Sequence, residues 1–427
     1  MEDPGLVNFG TGNIPTSMIK VVGVGGGGGN AVNHMLEDGI KGVDFIICNT
    51  DKQDLDKSNV SNKVLIGYEA CKGLGCGANP EKGREAAEES RIEIENAICT
   101  ENAQMAFITA GMGGGTGTGA APVVARIVHD KGLLTIGIVT IPYLFEGHKK
   151  IEKALAGIDE LRSCTDAILV INNERIKDIY PDMNFFNSWK MSDMILSDAA
   201  KGIAEVITKT GLVNIDFADV AATMRNSGIA LIGTGLGTGE HRMYDAFKNA
   251  VTSPLLQEND IRGAQRILFV IYSRTDENSF MGKEIEAISK FMEENEGKEA
   301  DLIWGVYPDD SLEEGQIKVM VIATGFKSES LKINSKQVED KTENPNQDLF
   351  SNTESSITEE TTVHEEKKAN IDEYYGKTET FVKEQEEKNQ ELIDNVNDED
   401  TLKVIEEETA VSRRKNIAPK PYTPRSL

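Results

Sequence analysis

A chain of 427 residues can bury a sizeable core and has room for two or three domains. Its formal net charge of −26 argues against nonspecific nucleic-acid binding and against anionic-lipid binding by the main body. The charge is uneven: residues 328–400 hold 21 acidic and 8 basic residues, while residues 401–427 hold 3 acidic and 6 basic ones. No run of 18 apolar residues occurs and the first residues lack a basic-then-apolar pattern, so a soluble, intracellular chain without membrane insertion is expected. Cys48, Cys71, Cys76, Cys99 and Cys164 are odd in number and widely spaced, which fits free thiols in a reducing compartment. Cys71 and Cys76 have no second Cys or His pair nearby, so no zinc site is expected.

Residues 1–16 are polar, contain proline and read as a flexible arm. Residues 18–24 form an apolar strand that runs into a glycine loop, Gly25 to Gly29 and Asn30, with a helix from Ala31 to Glu37. A second strand covers 44–48. Gly73 to Pro80 is glycine-rich and leads into a polar helix over 81–98; it reads either as a ligand loop or as a flexible connector. Residues 105–109 are a buried strand, followed by the glycine-dense Gly111–Gly119 and a helix over 121–129. Strands at 133–141 and 167–171 follow, with a helix opening at Phe145 between them. This alternation specifies an α/β fold with a doubly wound parallel sheet, binding ligands at the carboxyl ends of its strands.

Residues 187–209 then read as one long helix, stopped by Thr210-Gly211. Beyond a loop at 211–219 come a strand (229–233), a helix (243–251), a strand (266–272), a helix (281–294) and two strands (302–306, 317–323). Two strands in succession predict a mixed sheet, hence a second, smaller α/β domain. From about Phe326 polar residues dominate and a disordered acidic linker is expected. The expected organisation is an arm (1–16), a nucleotide-binding domain (17–186), a central helix (187–210), a second domain (211–326), the linker (327–400) and a terminal segment (401–427). That last segment is apolar then basic, and reads as a docking peptide on a tether or as a tail end without a role.

Six glycines in nine positions between a strand and a helix start, Gly111 to Gly119, suit phosphate. Glycines let backbone amides approach closely, and the helix start adds free N–H groups and a favourable dipole. Thr116 and Thr118 offer hydroxyls to phosphate oxygens or to a metal. The first loop contains Gly23-x-Gly25-x-x-Gly28, with Asp51 23 residues after Gly28, a pattern that alone would suggest a nicotinamide-dependent oxidoreductase. Two such loops in one sheet fit one nucleotide with several phosphates, held from two sides. Neither carries G-x-x-x-x-G-K-[ST], so the charge of a triphosphate falls to backbone amides, helix starts and a divalent cation such as Mg²⁺.

Asp216 and Asp219 can position a water for attack on a γ-phosphate. The alternative is a solvated turn with Asp219 as a helix cap. The long helix spans about 30 Å, at roughly 1.5 Å for each of ~20 residues. If Trp189 and Asp193 at its start touch the nucleotide, the two acids can act only on a neighbour's nucleotide. That geometry implies head-to-tail assembly into an open filament.

Gly111–Gly119 resembles the signature loop of the tubulin/FtsZ GTPase family. GVGGGGGNAV (Gly23–Val32), CNTD (Cys48–Asp51), GLGCGANPEKGREAAEE (Gly73–Glu89), FEG (Phe145–Gly147), NIDFADV (Asn214–Val220) and SPLL (Ser253–Leu256) resemble that family in the same order, over residues 18–325. The resemblance implies a cytoplasmic, self-polymerising GTPase of bacterial cell division, acting at mid-cell with GTP/GDP and Mg²⁺. It implies phosphate contacts at Gly26, Gly27, Gly28, Gly29 and Asn30, and at Gly113, Gly114, Gly115, Thr116 and Gly117. Glu146 would meet the ribose, and Asn173 and Asp193 the guanine edge. Trp189 stands where the family has a phenylalanine near the base. Lys150 replaces an arginine, keeping the charge but losing the planar fork. Asn214, Asp216 and Asp219 would serve the next subunit's GTP. The implied partners are further copies of the chain and, through Glu406–Lys415, membrane-anchor and division proteins. The rival reading is a structural homologue that binds nucleotide and polymerises without turnover.

Overall fold

Short runs rich in Val, Ile and Phe form the strands, and the longer amphipathic stretches between them form helices. The computed structural model describes residues 17–179, 185–252, 263–276, 279–286, 288 and 300–326. The expectations for residues 1–16, for Ser253–Leu256, for most of the helix at 281–294 and for everything from residue 327 lie outside the described residues. β1 (Ile19–Val24) leads to α1 (Gly25–Glu37), β2 (Val43–Asn49), α2 (Lys52–Lys57), β3 (Asn62–Leu65), α3 (Tyr68–Cys71), α4 (Pro80–Glu89) and α5 (Arg91–Ile98). β4 (Met105–Gly111) leads to α6 (Thr116–Asp130), β5 (Leu134–Ile141), α7 (His148–Arg162), β6 (Ala167–Asn172) and α8 (Asn173–Ile179). After α9 (Phe185–Thr208) come α10 (Phe217–Met224), β7 (Gly228–Gly237), α11 (Arg242–Val251), β8 (Arg266–Ser273), β9 (Asp301–Pro308) and β10 (Ile317–Thr324).

The strands join in the order β3-β2-β1-β4-β5-β6-β7-β10-β8-β9. From β3 to β6 every neighbouring pair is parallel. The far half is mixed, as expected: β10 runs antiparallel to both β7 and β8, while β8 and β9 are parallel. The halves meet through a short parallel pairing, Ala167 with Gly228 and Ile168 with Ile229.

Both faces of the sheet are covered, and the period of two along each strand shows it. On one face Phe107, Ile136 and Ile138 pack with Met35 of α1 and with Leu196, Ala200 and Ile203 of α9. Leu268, Val270, Met320 and Ile322 from the mixed half join that same core, so α9 spans both halves. Their alternates Ile267, Phe269, Val319 and Val321 face the other way, against Ala246, Phe247 and Ala250 of α11.

The structure departs from the sequence reading in several places. The first glycine run is not a loop but the opening turns of α1. A Cβ on Gly28 would lie 2.2 Å from the Thr109 carbonyl oxygen, so glycine lets α1 seat directly on β4 despite its low helix propensity. The polar helix over 81–98 breaks at Ser90, whose hydroxyl accepts the Gly67 N–H at 3.0 Å. The end of the loop 211–219 is helical from Phe217, with Asp216 as the N-cap of α10. Gly282–Glu284 forms a 3₁₀ turn where an α-helix was expected to begin.

Candidate active site

The chain turns from β1 toward β2 and β3 on one side, and from β4 toward β5 and β6 on the other. A crevice opens where that order reverses, at the carboxyl ends of β1 and β4. Both glycine-rich helix starts, α1 and α6, arise there. Gly25 has φ +72°, and a Cβ on it would lie 2.9 Å from the Gly117 nitrogen, so the two starts meet backbone to backbone. Neither helix has an acidic residue in its first turn or a side-chain cap. Their terminal N–H groups and positive dipole ends are therefore available to an anion.

A cavity of about 370 Å³ adjoins these starts. Gly26, Gly27 and Asn30 form one wall, and Gly114, Gly115, Thr116 and Gly117 another. Glu146 and Lys150 close a third side, and Asn173 and Asp193 the far end. Gly28 and Gly29 lie behind the wall, against Thr109 and Ile47. Gly113 donates its N–H to the Thr118 hydroxyl at 2.8 Å and shapes the turn without lining the cavity. The Thr118 hydroxyl is thus committed internally, whereas Thr116 lines the cavity and bonds Thr50 hydroxyl to hydroxyl at 2.7 Å. Trp189 lies in α9, its side chain outside the description.

Glu146 accepts the Tyr143 N–H at 2.9 Å and pairs with the Lys150 ammonium one turn later, so the two residues hold each other. The Asn173 side-chain oxygen accepts the Ser192 hydroxyl at 2.6 Å, which fixes the amide toward α9. Burial pushes the Asp193 carboxyl up to about 6, while His34, with Nε2 at 3.8 Å, pulls it the other way. The cavity is thus amide-rich and cationic at one end, and at the other has an amide and a carboxylate able to read a hydrogen-bonding edge.

Sequence reasoning missed Thr140, Pro142, Ser192 and Leu196, which also line the cavity. Thr140 sits at the carboxyl end of a parallel strand, where the fold rule already points. Ser192 and Leu196 share a helix face at a spacing of four, beside Asp193. The glycine-rich loop at 73–79 does not line the cavity, yet it is no loose connector. Gly75 N–H donates to the Thr50 carbonyl at 3.2 Å and Lys52 N–H to the Gly73 carbonyl at 3.1 Å. Asp51, the acid of the dinucleotide pattern, instead caps α2, accepting Gln53 N–H at 2.8 Å and Asp54 N–H at 3.3 Å.

Asn214, Asp216 and Asp219 do not join the cavity. α9 is 24 residues, roughly 36 Å at 1.5 Å per residue, and the acids follow its far end. Asp216 and Asp219 are exposed at the start of α10, where the Asp219 carboxylate accepts the Asp216 N–H at 3.4 Å. Their loop is anchored from behind. Leu212 N–H donates to the Val306 carbonyl at 2.8 Å, and Val306 N–H returns to Val213 at 3.0 Å. The Tyr307 hydroxyl accepts the Ile215 N–H at 3.1 Å and donates to the Val206 carbonyl at 2.9 Å. Asn214 accepts the Gly211 N–H at 2.5 Å across the turn.

Comparison with known proteins agrees with this geometry. Residues 18–181 match the Tubulin/FtsZ family GTPase domain, and residues 228–327 match the FtsZ family C-terminal domain. The chain is 47% identical over 327 residues to Cell division protein FtsZ of Porphyromonas gingivalis, spanning 76% of this chain and 71% of that protein. An empty FtsZ dimer from M. jannaschii superposes with a TM-score of 0.67 at 40% identity, covering 73% of this chain and 89% of that one. A GTPγS-bound CetZ2 protofilament from Haloferax volcanii shares the fold, with a TM-score of 0.61 at 24% identity over 72% of this chain and 93% of that one. The ordered motifs, the two-helix anion cradle and these matches agree: the chain belongs to the tubulin/FtsZ family of GTPases.

Proposed function

We propose that this chain hydrolyses GTP, polymerises head to tail and forms the filament ring of bacterial cytokinesis, with GTP held between subunits and hydrolysed with the help of the next subunit's acids. The observation that carries the reading is the convergence of two uncapped glycine helix starts on a cavity closed by Asn173 and Asp193. Amides of α1 and α6 would take the phosphates, and Lys150 would add a positive charge beside them. Glu146 would orient the ribose. Asn173, its oxygen held by Ser192, would donate through its amide N–H₂ and an ionised Asp193 would accept along the guanine edge.

A magnesium ion fits this donor set as a partner of the substrate phosphates. Among the described residues no cluster of three His, Cys, Asp or Glu could hold a metal by itself, and Thr116, which lines the cavity, could offer its hydroxyl oxygen. When bound, the ion supplies charge neutralisation on the phosphate oxygens. Asp216 and Asp219, exposed and anchored through Val306 and Tyr307, would orient a water in the neighbouring subunit's cavity. The empty FtsZ dimer among the similar structures supports self-association. Docking of membrane-anchor proteins through Glu406–Lys415 and action at mid-cell belong to the same proposal.

Calorimetric titration with GTP, GDP and ATP tests the binding half. One guanine nucleotide per chain, with ATP much weaker and Asp193→Ala removing the preference, is the expected result. Equal binding of ATP and GTP would remove Asn173 and Asp193 from base recognition.

A further inference from the structure

Cys71 closes α3, and Cys76 lies five residues on, in the loop toward α4. Positive φ at Lys72 (52°), Gly73 (73°) and Gly75 (78°) turns the chain back, and the two sulfurs meet at 3.4 Å. Both side chains are buried with Ala86 in a small cluster separate from the large cores. Cys76 also touches the candidate site. Its thiol donates to the Thr50 hydroxyl at 3.4 Å, and its sulfur accepts the Thr116 hydroxyl at 3.6 Å. A Cβ on Gly115 would lie 2.8 Å from Cys76 Cβ, so the Gly115 backbone rests on this cysteine. Gly115 and Thr116 line the cavity at the start of α6.

A disulfide needs its sulfurs at about 2.05 Å, so this pair must close by roughly 1.4 Å. We propose that Cys71 and Cys76 are a reversible oxidation site for low-molecular-weight disulfides, and that joining them draws Cys76 away from Gly115 and Thr116 and loosens the phosphate end of the cavity. The consequence for nucleotide rests on the function proposed above; the oxidation site itself does not.

The chemistry is thiol–disulfide exchange. One cysteine thiolate attacks a sulfur of the reagent, whose S–S bond breaks and releases one reagent thiolate. The second cysteine thiolate then attacks the protein-bound sulfur, forms the Cys71–Cys76 bond and expels the other reagent thiolate. The two protein thiols lose two electrons and two protons, and the reagent disulfide becomes two thiols. Burial, and then the Cys76 sulfur, push the Cys71 thiol up to about 11, so the exchange is slow near neutrality and quickens as pH rises. Cys48, buried and pushed up to about 12, stays out of it, and half-buried Cys99 serves as an internal comparison.

The test treats the full chain with oxidised glutathione, maps the products by mass spectrometry and follows amide hydrogen exchange at residues 115–119. Three results are expected: a Cys71–Cys76 link, faster exchange at 115–119, and GTP binding weakened roughly tenfold, the scale of one or two hydrogen bonds. Dithiothreitol should reverse all three, and Cys71→Ser should show none while binding GTP as the reduced chain does. Glutathione on Cys99 with Cys71 and Cys76 unlinked overturns the proposal. So does a link that leaves exchange at 115–119 unchanged. A link with faster exchange in a chain that never bound GTP would uphold the oxidation site and refute the function proposed above.

Discussion

In the first half of α9, Ser192, Asp193 and Leu196 close a recess whose walls come from several separate segments of this chain. Beyond its end, Asp216 and Asp219 stand exposed on a turn braced by Val306 and Tyr307. The first region has donors, depth and shape, but of the two carboxylates that line it Glu146 is paired with Lys150 and Asp193 sits at the far end. The second has exposed acids on a braced turn, and neither acid lines the recess. A site divided between two copies needs these two halves, one copy providing the floor and the next the acids. Binding and turnover should therefore separate under mutation.

The largest effect belongs to the acids. Asp216→Ala is expected to lower phosphate release by roughly 10²–10⁴, the range for a lost general acid–base or positioning group. GTP affinity should stay unchanged, and stability should fall by about 0.5–2 kcal/mol, because Asp216 is the N-cap of α10. Phosphate release, calorimetry and a thermal melt on one preparation check all three, and a parallel loss of affinity would break the separation.

Gly28→Ala should do the reverse, acting through the recess. Its new methyl would meet the Thr109 carbonyl at 2.2 Å, which forces α1 off β4. Destabilisation of about 1–3 kcal/mol is expected, with weakened GTP binding, measured by denaturant unfolding and titration.

Asp193 gives a pH signature confined to the recess. Its carboxyl ordinarily titrates at 3.8 and is raised by burial to about 6. Between those values the unfolded chain is ionised and the folded one holds its proton, so the unliganded fold loses stability as pH rises from about 4 through about 6. Guanine recognition needs the ionised form, so GTP affinity should increase roughly tenfold from pH 5 to pH 7. Asp193→Asn should flatten that rise, and a rise that persists would assign it to another group.

The smallest effect probes the brace. Tyr307→Phe removes the hydroxyl linking Ile215 to Val206 and should lower stability by about 1 kcal/mol. Turnover should drop severalfold with binding intact, and unchanged turnover would mean the turn needs no bracing.

The recess was largely legible in the sequence because its chemistry demands unusual local composition. Glycine clusters at two helix starts have few other uses, and Glu146 and Lys150 stand only four residues apart. That α1 begins inside its glycines was not legible: propensity speaks against it, and only the contact of Gly28 with β4 reverses the preference. Ser192 and Thr140 escaped because nothing local marks a hydroxyl as facing a ligand. The brace was invisible for a different reason, since Tyr307 reaches Ile215 across 92 residues of chain. The sheet alternation was readable in β1, β2, β4, β5 and β6 of the parallel half, whereas α2 and β3 are short and polar and give no clear period.

The divided site itself is tested most directly by phosphate release from GTP with Mg²⁺ across a range of protein concentrations, recorded beside light scattering. Turnover per subunit near zero below a threshold concentration, rising together with scattering above it, is the predicted result. Equal turnover per subunit at every concentration would mean a self-contained site and would remove Asp216 and Asp219 from the chemistry of a neighbouring copy.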